Sequence, residues 1–352
     1  KYEDVKDVSP EQYFDNNSLS INSFKNKYLI PELNEKTPAD VMWRVATYIA
    51  EPEKDKGLVP FEYWRRRWFH EIYTGWWMPA GSILQGAANP RKISLSNCTH
   101  ISFGAEDKSG DNLEDIFDAS YTVAKVAAYR QGLGVHFDLR PRGVPVNNSS
   151  KESLGNTHWM KYINEIGNYI GQKGRIPAML FSISCNNPDL VDFITIKSDQ
   201  KTIANANISV HFTNKFMETL LEVVEGRLPA DTRWEMVYQP ERGPEITASK
   251  PIIEIFDMFV ANNWAFAEPG AQFMDTAREY SNSDYLNDPR FRIKGSNACS
   301  EQMLEWFGKN ESSGLCVLSS SNFYRLSRDL ETAKHQLRST IAPSMARFLD
   351  NV

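Results

Sequence analysis

The sequence predicts an α/β protein: a mainly helical N-terminal region, residues 1–93, followed by alternating strands and helices over residues 94–352. Two observations carry this. Before residue 95 the apolar side chains recur at helical spacing, and after it short apolar runs alternate with amphipathic stretches. Strands separated by helices imply crossover units and a parallel sheet. The strands lack a clustered glycine fingerprint, so a barrel with its chemistry at one face and in its centre fits better than a doubly wound dinucleotide fold.

In chain order, residues 38–51 (PADVMWRVATYIAE) read as a helix with Thr37 as N-cap. Residues 61–77 are rich in Trp, Tyr and Phe and read as a core helix. Arg65, Arg66 and Arg67 within it read as a solvated or ion-paired face, not a nucleic-acid contact. The expected strands are 96–103, 134–139, 178–184 and 208–212. The expected helices are 113–130, 159–170, 189–196, 214–225 and 252–266. Residues 226–251, charged and Pro-containing, read as a surface excursion, while 297–299 and 315–319 fall at strand ends or in loops.

At 41% hydrophobic and 24% charged residues, the composition is that of a globular protein. A net charge of −6 argues against a broad surface for duplex nucleic acid. No run approaches the roughly 18 apolar residues of a membrane span. The opening KYEDVKDVSP has no leader character, so a cytoplasmic protein is expected. The four cysteines, Cys98, Cys185, Cys299 and Cys316, form no CxxC pair, which argues against structural zinc. The six histidines show no metal-ligand spacing and read as packing or surface residues, and Cys185 as a buried structural thiol.

The strongest local signal is Asn297, Cys299 and Glu301. In an extended segment, alternate residues share a face, which sets an amide, a thiol and a carboxylate against one ligand. Such a set can hold a hydroxyl, abstract a hydrogen atom and accept a proton. Cys98 and Cys316 add thiols on separate strands.

These segments resemble the active-site cysteines of the ribonucleotide reductase catalytic (large) subunit. The likeness extends to 78–84 (MPAGSIL), 110–116 (GDNLEDI), 132–135 (GLGV), 139–143 (LRPRG), 171–175 (GQKGR), 187–194 (NPDLVDFI), 267–270 (AEPG) and 347–352 (RFLDNV). The resemblance implies a ten-stranded α/β barrel of the thiyl-radical type, of which this chain holds the helical region and the first half. It implies that Cys299 forms the thiyl radical and removes the substrate's 3′ hydrogen, with Glu301 as general base. Asn297 holds ribose hydroxyls, and Cys98 and Cys316 reduce the 2′ position and end as a disulfide. Ser82 and Asn97 join Asn297 as substrate-binding residues. Asp111, Arg140, Arg142, Gln172 and Arg175 become the site of an allosteric nucleoside triphosphate at a homodimer contact. Taken by itself, Asp111 at a helix start either caps backbone N–H groups or binds ribose hydroxyls, and a lone Arg is most often a surface ion pair.

The second half-barrel is expected on a second polypeptide, as from a split gene, or on a longer chain. No N-terminal domain for overall activity control is recognisable. The resemblance lies nearest to adenosylcobalamin-dependent enzymes, the alternative radical source being a separate metal-containing subunit. Either needs a thioredoxin- or glutaredoxin-type reductant. Two rivals stand beside this reading. A catalytically inactive nucleotide-binding module would have no need of the thiols, and a glycyl-radical enzyme would usually lack the Cys98–Cys316 pair.

Overall fold

The computed structural model describes residues 1–56, 59–104, 110–146, 151–170, 177–199, 201–240, 244–286, 288–306, 308 and 314–352. They form two compact units, 1–97 with 317–352, and 98–316.

The first unit is mainly helical. The helix Pro38–Ala50 starts with a reciprocal cap: the Asp40 N–H donates to Thr37 Oγ1 at 3.2 Å and the Thr37 N–H to Asp40 Oδ2 at 2.9 Å. The aromatic helix Phe61–Tyr73 buries Trp68 and Phe69, as its composition predicts. Arg65 and Arg66 pair with Glu62, and Arg67 with Glu71 at 2.9 Å. The last helix, Ala342–Asp350, packs here too, with Phe348 edge-on to Trp68 and Trp77. Glu71 is buried and satisfied: Trp77 Nε1 and Ser344 Oγ donate to it at 2.9 and 2.6 Å. Strand β1, Trp77–Pro79, pairs with Ser319–Ser321.

The second unit centres on a six-stranded sheet. Its strands are β2 (Cys98–Ser102), β3 (Gly132–Phe137), β4 (Met179–Ser184), β5 (Ala206–Phe212), β8 (Gly270–Phe273) and β11 (Leu315–Cys316). The order is β11-β2-β3-β4-β5-β8, parallel from β2 to β8, with β11 antiparallel to β2. Helices Leu113–Ala128, Asn156–Ile170, Leu190–Thr195, Asn214–Val224 and Ile252–Phe266 contribute side chains to the core on one face of this sheet. Its strands supply Ile101, Leu133, Val135, Phe181, Ile208, Val210 and Phe212. The predicted strand–helix alternation holds throughout, with ends displaced by a few residues.

Residues 226–251 depart from expectation. They contain an antiparallel hairpin, β6 (Arg233–Tyr238) with β7 (Ile246–Pro251). Trp234, Met236 and Tyr238 alternate inward, and Trp234 Nε1 donates to the Cys185 carbonyl at 3.0 Å. A two-residue alternation hidden among charges is what the surface reading overlooked. A further hairpin, β9 (Ile293–Ser296) with β10 (Met303–Glu305), carries the reactive motif. No helix among the described residues is long and apolar enough to cross a membrane.

Candidate active site

Cys98 opens β2 and Cys316 closes β11, and the antiparallel register sets them directly opposite one another. Opposed residues in such a pair have Cα atoms about 4.5–5.5 Å apart, inside the disulfide range of roughly 4.4–6.8 Å. Both are free thiols and buried, whereas Cys299 is exposed. Ala298, at the start of the turn after β9, packs against the two buried cysteines.

The turn corrects the extended-segment expectation for Asn297, Cys299 and Glu301. The Ser300 N–H donates to the Asn297 carbonyl at 3.2 Å, the Asn297 N–H to the Gln302 carbonyl at 3.1 Å, and Ser300 adopts φ +64°. The chain folds back, so alternation does not set which side chains meet. Asn297 and Glu301 meet across the turn: Asn297 Nδ2 donates to Glu301 Oε1 at 2.6 Å. Cys316 Sγ lies 3.9 Å from the same oxygen. Asn297 also lies against Cys98, and the Cys98 and Cys299 thiols are hydrogen-bonded neighbours.

Two glycines admit this hairpin. A Cβ on Gly134 would sit 1.7 Å from the Ser296 carbonyl oxygen, and one on Gly132 3.2 Å from both Ala298 Cβ and Cys98 Sγ. At Gly134 only a residue without a side chain lets the reactive turn lie on β3, and at Gly132 a side chain would press on its neighbours.

Burial sets the thiol chemistry. It pushes Cys98 up to about 12, helped by the charges of Cys299, Cys316 and Glu301. It pushes Cys316 up to about 11, with Glu301 as the next cause, and Cys299 upward for the same two reasons. All three are neutral S–H groups near pH 7. The arrangement offers two buried hydrogen donors, an exposed thiol, an amide and a carboxylate at one place. That set can hold a polyol, accept a proton and deliver two reducing equivalents.

Ser82 and Asn97 lie in the first unit, Ser82 in the helix Gly81–Gly86. Ser82 Oγ and Asn97 Oδ1 are buried without a hydrogen-bond partner among the described residues.

The effector candidates divide. Asp111 is not the helix cap: Asn112 fills that position, its Oδ1 accepting the Asp115 N–H at 2.9 Å. Asp111 instead accepts the Arg140 N–H at 3.1 Å and Arg140 Nε at 3.0 Å, both side chains largely buried. Burial, then the Asp111 charge, push the nearby Tyr238 hydroxyl up. Arg142 is exposed and 3.7 Å from Asp192, the surface pairing typical of a lone Arg. Gln172 and Arg175 lie outside the described residues.

Reasoning from motifs passed over His100 and Gln272. His100 Nδ1 lies 3.1 Å from the Ser296 carbonyl and its Nε2 3.0 Å from Ser102 Oγ. Alternation within CTHIS, which puts Cys98, His100 and Ser102 on one face, was the available signal. Cys185 is buried, as expected. Among the described residues no group of three or more His, Cys, Asp or Glu is placed to hold a metal.

The family model described as ribonucleotide reductase, barrel domain, matches residues 96–352, and the model described as ribonucleotide reductase, all-alpha domain, matches residues 14–92. The chain belongs to the ribonucleotide reductase family. Among curated relatives, a vitamin B12-dependent ribonucleoside-diphosphate reductase of Thermoplasma acidophilum is 28% identical over 246 residues, 69% of this chain and 29% of its own length. A ribonucleoside-diphosphate reductase subunit alpha of Helicobacter pylori is 24% identical over 197 residues, 54% of this chain and 24% of its own. A putative ribonucleoside-diphosphate reductase large subunit of Frog virus 3 is 23% identical over 243 residues, 69% of this chain and 39% of its own. The chain thus spans well under half the length of these reductase relatives.

Proposed function

We propose that this chain supplies the thiol centre of a ribonucleotide reductase catalytic subunit, which reduces ribonucleotides to 2′-deoxyribonucleotides through a thiyl radical. The observation that carries the reading is the pairing of Cys98 with Cys316 beside the Asn297–Glu301 turn. In this scheme Cys299, as a thiyl radical, takes the 3′ hydrogen while Glu301 takes the 3′-hydroxyl proton and Asn297 holds the ribose hydroxyls. The 2′-hydroxyl leaves as water with a proton from one of the paired thiols. Cys98 and Cys316 give up two electrons and two protons in all, the second proton going to C2′, and close as a disulfide; Glu301 returns its proton to the 3′ oxygen and Cys299 S–H returns the hydrogen to C3′. Thiols held neutral by burial suit proton and hydrogen donation. Ser82 and Asn97 belong to substrate binding, their unpartnered oxygens facing no protein donor or acceptor among the described residues.

Cobalamin chemistry, when the group is bound, generates the radical. The exposed Cys299 is open to such a source. The cobalamin reading leans on the name of the Thermoplasma acidophilum relative, and a separate metal-containing subunit stands beside it. Turnover with adenosylcobalamin alone decides between them.

Substrate choice is assigned to a nucleoside triphosphate at Asp111, Arg140, Arg142, Gln172 and Arg175. The helix Leu113–Ala128 that follows exposes Leu113, Phe117 and Tyr121 at intervals of four, an apolar stripe suited to a second copy of the chain. The short coverage of the relatives supports a further polypeptide or segment that completes the barrel, and a thioredoxin- or glutaredoxin-type protein then reopens the disulfide.

Cys299→Ser in the whole reductase tests the scheme. Deoxynucleotide formation is expected to disappear while nucleotide binding persists. Full turnover by the variant refutes the proposal.

A further inference from the structure

The turn that presents Cys299 is gripped by a side chain outside the reactive set. Gln272 is buried on β8, opposite His211 on β5. Its Nε2 donates to Ser296 Oγ and to Ser300 Oγ, each at 2.5 Å. An amide NH2 carries two hydrogens, so one group can serve both hydroxyls. Ser296 ends β9, and Ser300 follows Cys299 directly. The thiol is therefore bracketed by two residues tied to one point on the sheet.

The tie matters because Ser300 stands at φ +64°, where an L side chain is strained. Left-handed conformations of non-glycine residues are strained and persist where the surroundings over-determine them. His100 fixes the Ser296 carbonyl from the β2 side, which anchors the base of the hairpin. The grip on Ser300 comes from β8.

We propose that Gln272 is a positioning residue, which through Ser296 and Ser300 sets the turn and hence where Cys299 Sγ lies relative to Cys98 and Glu301. Its importance for turnover rests on the function proposed above, while the tether itself does not.

The pH profile of Cys299 alkylation by iodoacetamide, read peptide by peptide in the mass spectrometer, tests the tether. Burial and Glu301 hold the Cys299 thiol up. A released turn moves it out of both, and its alkylation midpoint falls. Gln272→Met, similar in length, is expected to lower that midpoint by about one pH unit, the size of one lost charge contact. Ser300→Ala removes the other end of the same bond and is expected to shift it the same way. The double variant goes no further than Gln272→Met alone, because Ser300→Ala removes a bond that the first change has already cut. Folded variants with the wild-type profile, or two shifts that simply add, overturn the proposal. Where Gln272→Met does not fold, an unshifted Ser300→Ala overturns it alone. Deoxynucleotide formation by the same variants in the whole reductase separates the two claims: a shifted profile with undiminished turnover supports the tether and counts against Cys299 as the radical thiol.

Discussion

The strands of the central sheet turn Ile101, Val135, Phe181 and Val210 to one side, and Cys98, His100, His136, Ser182, His211 and Gln272 to the other. The first side is closed by five helices into a continuous apolar core. On the second, polar groups pair with each other: His136 Nδ1 with Ser182 Oγ at 3.0 Å, His136 stacked on His211 at 4.3 Å, His100 with Ser102 and the hairpin. Strands of a parallel sheet buried on both faces usually read as unbroken apolar runs. Here the alternation survives burial. The apolar side supplies stability and the polar side holds a reactive turn in register, so damage to each should have a different signature.

The largest effect is expected from the apolar side. Phe181→Ala removes a fully buried ring and should cost about 4 kcal/mol, seen as a lower denaturation midpoint. A loss below about 1 kcal/mol means the helices do not close that face as described. Gly134→Ala comes next, on the polar side. Its methyl would occupy the place of the Ser296 carbonyl, so the hairpin must lift, at about 1–3 kcal/mol. Changed Cys299 alkylation should accompany it, which distinguishes it from Phe181→Ala at equal stability.

Acid should attack the polar side selectively. Burial holds His100 down to about 4 and His211 to about 3. The unfolded chain binds these protons at ordinary imidazole values, so the stability due to neutral burial is complete above that range. It is lost as pH falls through it, down to about 4 for His100 and about 3 for His211, each histidine contributing roughly 1.4 kcal/mol per pH unit. His100→Asn should flatten the decline between pH 6 and about 4, and an unchanged acid limb speaks against the buried neutral state. The smallest effect belongs to Arg142→Ala: an exposed pair at 3.7 Å predicts a change under about 0.5 kcal/mol in thermal unfolding.

The sequence made most of this sheet legible, because period-two runs bounded by amphipathic helices leave few other readings. What it could not carry was long-range register. β11 has only two residues, too short for any pattern, and nothing local says that Cys316 will face Cys98. That 297–299 fall at a strand end is legible; the reversal is not, because three residues spaced by two look extended until a left-handed Ser300 turns the chain back. Of the two readings of Asp111, the cap falls, because its neighbour Asn112 has the same capping chemistry and takes the position. Gln272 belongs to no motif, and its significance appears only when β8 brings it beneath the hairpin.

The opposition of Cys98 and Cys316 across an edge pair has a kinetic consequence. Opposed residues in such a pair stand at the separation a disulfide needs, so beyond the exchange of two electrons and two protons, closure and reopening ask the backbone for no movement, only rotation about side-chain bonds. Under the proposed function, one scaffold would serve both the dithiol and the disulfide forms, and access of the reductant, not a rearrangement of the sheet, would set the pace of reopening.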